Sequence, residues 1–463
     1  MYHGPFSHTP FKNFQLSPIG LVPKKHSHKF RTIFHLSFLK SGTSSINYFI
    51  EKDDFSLQYI TIDNAIAAIQ KFGPGCYMGK TDIESAFRLI PVHPNDWELL
   101  GMFWNGQYYF DKVLLFGLRS LPYIFNQLSD GIEWILLNKC SISFVCHILD
   151  DFFIVEPPCY TPPLDSFCQA SLSSMIFTFK NLNIPISAAK TQGPSQILQL
   201  MGIILDSGKM EARLPEDKVE RIKSALSTFQ SQRSTTLQEL KSLIGTLNFA
   251  CKVIPPGRPF LQRIIHLTRG VKKPHHHIKL TTGFYKDIEM WKMFIDQWNG
   301  IGLFLSPLWE TSDTLSLFTD ASGSLGYGGI FPKRWFQGKW LPCQQLRQRG
   351  ISIIWQELYA INVACHLWGA HWTSKRIHFY CDSQGVVEVI NSCRSKVPWV
   401  MDLVRDLTLR TLQHNFYFRE VHVPGINNNI ADSLSHFQME RFHQLAPQAN
   451  ATPDPIPAYL YKL

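Results

Sequence analysis

Between Ser143 and Pro157 the sequence reads SFVCHILDDFFIVEP. Two adjacent carboxylates, Asp150 and Asp151, stand between apolar runs, Phe144, Val145, Cys146, Ile148 and Leu149 before them and Phe152 to Val155 after. Runs of β-branched and aromatic residues of this length read as buried strands. Asp is poor in a strand and good in a turn. The spacing predicts a β-hairpin with both carboxylates at its tip. Two anions side by side on an apolar hairpin are costly unless neutralised. A divalent cation neutralises them, and Mg²⁺ sites of phosphoryl transfer use one or two carboxylates plus substrate phosphates. Taken alone, the doublet is more simply a solvated turn.

Other carboxylates change that balance. Asp82 ends a predicted strand in YMGKTDIESAFR, with Phe87 five residues on. In the second half, Asp320 ends one predicted strand and Glu357 lies on a predicted helix. Asp382 ends another strand, and Asp432 opens the last helix. Four carboxylates meeting at one edge of a mixed sheet would hold two Mg²⁺ ions about 3.5–4 Å apart, which clamp both oxygens of an in-line displacement at phosphorus. Each of the four alone is an ordinary strand-end or capping residue. Their recurrence in similar settings in a basic protein favours a site.

The elements that must position these groups follow in order. Residues 1–19 are rich in Pro, His and Phe, lack periodicity and read as an extended arm. GLVPKKHSHKFRTIFHL reads as a basic hairpin, its turn at His26–His28 flanked by Lys24, Lys25, Lys29 and Arg31. Fixed cations around a turn suit a triphosphate, and equally a solvated basic loop. Ile60 to Ile69 show helical spacing, stopped by Gly73-Pro74-Gly75. LLFGLRSLPYIFNQLS leads into an amphipathic helix. ILQLMGIILDSGKMEARL reads as a hairpin turning at Asp206-Ser207-Gly208. Pro215 with Glu216 and Asp217 is a good helix start, and a second helix follows from Thr235.

From Leu240 to Lys286 there is no Asp or Glu, but there are Lys241, Lys252, Arg258, Arg263, Arg269, Lys272, Lys273, Lys279 and Lys286. So long an acid-free run fits a phosphate-contacting surface better than a generic solvated face. His275–His277 read as a polar linker, since no Cys or carboxylate stands near them. After Pro307, LSLFTDASGSLGYGGIF reads as a hairpin; its glycines are a poor dinucleotide fingerprint because no helix follows. ISIIWQELYAINVACHLWG is a helix, and RIHFYCDSQGVVEVINS reads as strand, turn, helix. FYFREVHVPGINNNIADSLSHF reads as strand, loop, helix. QLAPQANATPDPIPAYLYKL reads as a linker.

Composition sets outer bounds. At 463 residues the prior is roughly three domains. Hydrophobic residues are 45% and charged residues 17%, which excludes a disordered chain. A net charge of +9 points to a polyanionic partner. The ten cysteines show no zinc spacing, which fits reduced thiols in an intracellular protein, cytoplasmic or nuclear. No signal core opens the chain and no charge-poor run is long enough to span a membrane.

On these motifs the first half resembles reverse transcriptases, and the second half resembles the ribonuclease H domain that retroelements fuse to them. The resemblance runs from about residue 18 to about residue 436. TDIESAFRLIPVHP is similar to the first catalytic motif of the palm, with Asp82 as metal ligand. LLFGLRSLPYIFNQ resembles the template- and nucleotide-positioning motif, its Phe116-Gly117 of the gypsy retrotransposon type. ILDD resembles the Tyr-x-Asp-Asp box, with Ile148 in place of the aromatic residue. KFRTIFHLS resembles the fingers segment, which implies Lys24 and Arg31 near an incoming triphosphate. Lys190 matches a lysine proposed to protonate pyrophosphate, and LQLMGIILDSGKM resembles the primer grip. FTDAS, WQELYA, YCDS and NNNIADSLS resemble the four ribonuclease H motifs in order. A histidine found before the last Asp in some of those domains is absent here, where Ile426 follows Gly425. SINYFIEKDDFSLQYITID and HFQMERFHQLAP resemble DIRS-type retrotransposons, whose polyproteins carry a tyrosine recombinase next.

The resemblance implies an α+β and α/β multidomain chain: a right-hand polymerase followed by a ribonuclease H-like mixed-sheet domain. It places the arm at 1–19, fingers and palm at 20–205, thumb at 206–275, a connection linker at 276–311, ribonuclease H at 312–436 and a Pro-rich tail at 437–463. It implies two Mg²⁺ ions per site, with Mn²⁺ as the alternative. Asp82, Asp150 and Asp151 are the ligands at one site and Asp320, Glu357, Asp382 and Asp432 at the other. Backbone amides near Glu84–Phe87 join Lys24 and Arg31 around the triphosphate, and Phe87 blocks a ribose 2′-hydroxyl. Partners are an RNA template, a DNA primer, dNTPs, an RNA·DNA hybrid and a downstream recombinase domain. Two rivals stay open: an inactive nucleic-acid-binding fragment of a retroelement, and an RNA-templated RNA polymerase.

Overall fold

The apolar run Phe152–Val155 is buried on both faces, and a sheet grows on either side of it. In the computed structural model, residues 2–23, 30–38, 45–298, 301–304, 308–341, 353–423 and 428–462 are described. They form two compact units, Met1–Leu200 with Leu205–Lys209, and Met201–Ile204 with Met210–Leu463.

The first unit contains β1 (Tyr2–Phe6), β2 (Ile19–Pro23), β3 (Phe30–Phe34), α1 (Ile62–Phe72), β4 (Tyr77–Asp82), β5 (Gly101–Trp104), β6 (Gln107–Asp111), α2 (Leu121–Asn138), β7 (Val145–Ile148), β8 (Asp151–Glu156), α3 (Ser166–Asn181), β9 (Gln192–Ser195) and β10 (Ile197–Leu200). Its main sheet is antiparallel, ordered β7-β8-β4-β9. On one face Phe152 and Ile154 pack against Phe125, Ile132 and Leu136 of α2 and Leu172, Met175 and Phe179 of α3. Each fully buried side chain of this size contributes about 1.5–3 kcal/mol. α1 lies against β8 as well. Cover on both faces explains a continuous apolar strand in place of an alternating one.

Two expectations change here. Ile148 pairs with Asp151, so the hairpin loop is Leu149–Asp150 and only Asp150 sits at the tip. Because β8 is apolar on both faces, its pattern leaves that register open, and the packing of Phe152 and Ile154 on α2 and α3 settles it. Residues 1–19 are no loose arm: β1 pairs with β6 in the sheet β1-β6-β5, and Phe6 and Phe11 pack on Phe110 at 5.9 and 4.9 Å. Aromatic packing supplies the order that the composition hid. The expected basic hairpin is β2 paired with β3; its turn, 24–29, lies outside the described residues.

β11 (Ile203–Asp206) straddles the two units. The second unit continues with β12 (Glu211–Arg213), α4 (Glu216–Ser231), β13 (Ser234–Thr236), α5 (Leu237–Ala250), α6 (Gln262–His266), β14 (His277–Lys279), α7 (Thr282–Trp298), β15 (Ile301–Leu303), β16 (Trp309–Thr311), α8 (Ser312–Leu315), β17 (Phe318–Ala321), β18 (Gly326–Phe331), β19 (Arg334–Lys339), α9 (Ile353–Trp368), β20 (Arg376–Cys381), α10 (Gln384–Ser392), α11 (Pro398–His414), β21 (Tyr417–His422), α12 (Asn429–Ser435) and α13 (Met439–Leu445). A capping box starts α5: Glu239 N donates to Thr236 Oγ1 at 3.2 Å and Thr236 N donates to Glu239 Oε2 at 2.9 Å.

Residues 276–311, expected as a linker, contain the 17-residue helix α7. Phe284, Ile288, Trp291, Phe294 and Ile295 are buried at helical spacing. Buried Asp287 of α7 pairs with Arg263 of α6 at 3.2 Å and Arg405 of α11 at 3.4 Å. The segment is thus part of the core that joins residues 210–463.

Strands β17, β18 and β19 are antiparallel; β16, β20 and β21 are parallel, and β17 lies against β20. Helices α9, α10 and α11 cover one face over Trp355, Leu358, Trp368, Ile377, Phe379 and Leu407. On the other face Leu434 of α12 and Phe442 of α13 pack on Ile330 and Trp335. The Pro-rich tail is a strap, not a linker. Arg334 Nε and Trp368 Nε1 donate to Asp454 Oδ2 at 2.7 and 2.8 Å, and Tyr359 OH donates to the carbonyl of fully buried Leu460 at 3.0 Å. Prolines hold it extended while these few residues anchor it. Among the described residues no helix is long and apolar enough to cross a membrane.

Candidate functional site

The β4–β8 register puts Asp82, the last residue of β4, directly opposite Asp151, the first of β8. The turn carrying Asp150 is tied on both sides: Ile83 N donates to Asp150 O at 2.9 Å and Ser129 Oγ of α2 donates to Leu149 O at 2.8 Å. Lys190 reaches Asp82, its Nζ donating to Oδ2 at 2.7 Å. The turn holding Lys190 hangs from the same residue, since Ser187 N donates to Asp82 O at 2.8 Å. Asp82 is buried, whereas Asp151 stands at an exposed edge. Even so, partial burial of its carboxyl, then the hydrogen bond and charge of Asp82, then the charge of Asp150 push Asp151 up to about 7, with Lys190 pulling the other way. Desolvation works against the Lys190 proton, but the hydrogen bond and charge of Asp82, with Asp151 and Asp150, hold it above its ordinary value. The arrangement is an oxygen-only cluster of carboxylates with one ammonium set against it.

Phe87 follows Ser85, whose φ is +55°. Its ring stands edge-on to Phe116 and Phe125 at 5.1 and 5.2 Å. Gly117 has φ +109°, and a Cβ there would collide with the carbonyl oxygen of Phe34 on β3. Its own carbonyl accepts from Asn47 Nδ2 at 2.8 Å. Gly117 therefore serves a close backbone approach between the motif and β3. The amide of Glu84 donates to Pro185 O at 2.8 Å, which removes it from the expected triphosphate amides. Lys24 lies outside the described residues; Arg31 falls on β3.

In the second unit Asp320 ends β17 next to Ala321, Glu357 sits in the second turn of α9, Asp382 follows β20 and Asp432 lies on α12. Burial pushes Asp320 up to about 6, opposed by a hydrogen bond from Ser435 and raised further by the charges of Asp382 and Asp432. Burial first, then Asp320 and Asp382, hold Glu357 well above the carboxylate range. Asp320 thus feels Asp382 and Asp432, and Glu357 feels Asp320 and Asp382, so Asp320 links the sheet edge to both helices. Ligand atoms of Asp320, Asp432 and His436 lie within 4.8 Å of one another, as do those of Glu357, Cys381 and Asp382. Burial keeps the Cys381 thiol protonated, which makes it a poor ligand beside the carboxylates.

Some supporting residues escaped the sequence. Ser435 donates to Asp320, Asn428 Nδ2 donates to Thr319 O at 2.9 Å, and Arg441 Nη1 donates to Asp432 Oδ2 at 2.8 Å. His436 stands one helical turn beyond Asp432, Nδ1 to Oδ1 3.3 Å; that i,i+4 spacing was readable. So was Lys80, on the same strand face as Asp82. Burial lowers its pKa, Asp151 and Asp82 raise it, and its Nζ donates to Gln199 O at 2.7 Å.

The acid-free run divides. Arg263 is consumed by Asp287 and Asp402, while the other cations are exposed. Beside the run, Lys218, Arg221, Ser242, Thr246 and Phe249 line a cleft of about 330 Å³ between α4 and α5, with Lys218 Nζ 3.8 Å from the Phe249 ring.

No family model matches the chain, and no curated protein is similar to it in sequence. Solved structures are similar in fold. A foamy viral protease-reverse transcriptase in complex with double-stranded DNA aligns with a TM-score of 0.52 at 14% identity, over 88% of this chain and 65% of that one. A foamy viral protease-reverse transcriptase with an RNA/DNA hybrid gives 0.49 at 14% identity, over 89% and 51%. Identity this low carries architecture alone: the chain is a mixed α/β multidomain protein with a reverse-transcriptase-like fold.

Proposed function

We propose that the chain is an RNA-directed DNA polymerase with ribonuclease H activity, part of a retrotransposon polyprotein of DIRS type, with palm chemistry in the first unit and hybrid cleavage in the second. The observation that carries this is the pair of carboxylate pools, Asp82/Asp150/Asp151 at strand ends and their turn, and Asp320/Glu357/Asp382/Asp432 at strand ends and on two helices. The foamy viral structure described as a complex with double-stranded DNA supports a nucleic-acid partner.

Both pools fit hard divalent cations. Their donors are oxygens, except for His436, and in each pool burial and neighbouring carboxylates make the anionic form costly, at Asp151 and at Asp320. Bound Mg²⁺ or Mn²⁺ would supply a more acidic hydroxyl or water and charge for the leaving oxygen. The protein's own part is positioning. Asp82 and Asp151 face each other across two strands, and the turn carrying Asp150 is tied to the residue after Asp82. Lys190 keeps its proton 2.7 Å from Asp82 Oδ2, ready to pass it to a leaving pyrophosphate. Phe87, wedged between Phe116 and Phe125, is a rigid wall against a ribose 2′-hydroxyl. In the second pool Ser435 and Asn428 orient Asp320 so that it faces Asp432. Attack then falls on the strand that carries 2′-hydroxyls.

Extension of oligo(dT) on poly(rA) with Mg²⁺ and dTTP, alongside cleavage of a labelled RNA·DNA hybrid, tests both halves. Activity in both assays is expected. Binding without either reaction would leave an inactive fragment, and extension with rNTPs alone would leave an RNA polymerase.

A further inference from the structure

Among the described residues, the second face of the mixed sheet is only half covered. Helices α12 and α13 pack on β17, β18 and β19. Beyond them, β20 alternates strictly: Ile377, Phe379 and Cys381 point into the core, and Arg376, His378 and Tyr380 point the other way. Parallel register lines these up with their neighbours. Trp309, Arg376 and Tyr417 form one row across β16, β20 and β21, and His378 and Arg419 belong to the next.

The rows form one contiguous surface. Trp309 stacks on His378 at 4.1 Å and 13°, and meets Tyr417 edge-on at 5.8 Å. The guanidinium carbons of Arg376 and Arg419 stand 6.0 and 5.7 Å from the Trp309 ring. Neither arginine has an ion-pair partner among the described residues, and Arg376 Nε has no hydrogen-bond partner there. The nearby Glu310 faces the core side of its strand and is paired with Lys375 at 2.9 Å. Burial, then the charge of Arg419, holds His378 below its ordinary pKa, so its ring is a neutral arene near pH 7.

We propose that this face is a binding platform for single-stranded DNA, distinct from both carboxylate pools. Arenes interleaved with unpaired guanidiniums are what an unpaired strand needs: stacking for bases of any identity and charge for its phosphates. Same-face residues two apart on a strand stand about 7 Å apart, so Arg376 and Arg419 on adjacent rows address different phosphates. A duplex hides its bases and cannot stack here. Stacking on bases and pairing with phosphates do not depend on the 2′-hydroxyl, so the choice of DNA comes from the source of the strand. The origin of the strand rests on the function proposed above, since degrading the RNA of a hybrid strips a DNA strand beside this sheet.

The test uses the full chain, preloaded with an unlabelled blunt DNA duplex, and fluorescein-labelled oligo(dT) followed by anisotropy over a range of salt. Arg376→Ala/Arg419→Ala and the surface variant Arg419→Glu are compared with wild type, and circular dichroism verifies their folding. The double variant is expected to bind about tenfold more weakly, with the salt slope reduced by about 1.4 for two lost phosphate contacts. Hybrid cleavage should be unchanged. Equal oligo(dT) affinity in all three proteins, equal losses for duplex and single strand, or tighter binding of oligo(rU) than oligo(dT) would overturn the platform. Failure of wild type to extend or cleave, with oligo(dT) binding still lost in the variants, would instead strike the proposed function and leave the platform standing.

Discussion

The two carboxylate pools solve one electrostatic problem in different ways. In the first unit Asp151 sits at an exposed strand end beside the buried Asp82, and a flexible cation, Lys190, leans on Asp82 with most of its side chain in water. In the second unit Asp320 and Glu357 are buried and neutral donors, Ser435 and Asn428, hold Asp320, while Arg441 pairs with the half-buried Asp432. An open pool can exchange a large charged substrate without losing its order. A buried pool has to be held by dipoles fixed beforehand, because an unpaired ammonium there would itself be costly. The difference predicts independent chemistry and different sensitivities to pH and salt.

The sharpest way to break the comparison is to neutralise one pool at a time. Asp150→Asn should lower primer extension by about a thousandfold, roughly 4 kcal/mol of transition-state stabilisation, and leave hybrid cleavage within twofold. Asp320→Asn should do the reverse. Joint loss in either variant would mean that the pools are not separate sites.

Phe87→Ala probes a feature only the first pool has. Opening the wall should cut the dNTP/rNTP preference of single-nucleotide incorporation by about 10–200-fold, the range set by one steric contact in a pocket. An unchanged ratio would show that the ring is merely part of the Phe116–Phe125 packing.

Ser435→Ala asks whether fixed dipoles matter as argued. Without that hydroxyl, Asp320 loses the bond that opposes its raised pKa, so a proton competes better with a cation. Calorimetric Mn²⁺ affinity at the second pool should fall by about 10–100-fold at pH 7, as for other outer partners of metal ligands, and recover in part at pH 8. Equal affinity across that range would remove Ser435 from the site.

What the sequence disclosed follows the same divide. Asp82 at a strand end and the hairpin before Phe152 were readable because apolar periodicity marks strands and carboxylates interrupt it. The exact tip was not: placing Asp151 in the ladder depends on which residues of β8 face α2 and α3. Segment 276–311 looked like a linker beside His275–His277, although its Phe284, Ile288, Trp291 and Ile295 already had helical spacing. The strap ending in Leu460 was opaque for another reason, since its order comes from a few long-range contacts to Trp368 and Tyr359. Ser435 and Asn428 carry no signal of their own; only the fold brings them to Asp320.

The smallest effect lies behind the second pool. Glu420 of β21 is fully buried, and neither of its carboxyl oxygens has a hydrogen-bond partner among the described residues. Burial alone holds its pKa well above the carboxylate range. A raised folded-state pKa gives stability that is complete below the unfolded value, near 4.3, and is lost as pH climbs toward the folded one. Each pH unit within that window costs wild type about 1.4 kcal/mol. Glu420→Gln keeps the shape and removes the ionisation. Its melting temperature should match wild type at pH 4.5 and exceed it at pH 8, with the gap widening steadily between. A constant gap at every pH would mean that Glu420 ionises freely, and the contrast between an open pool and a sealed one would then end at Glu357 and Asp320.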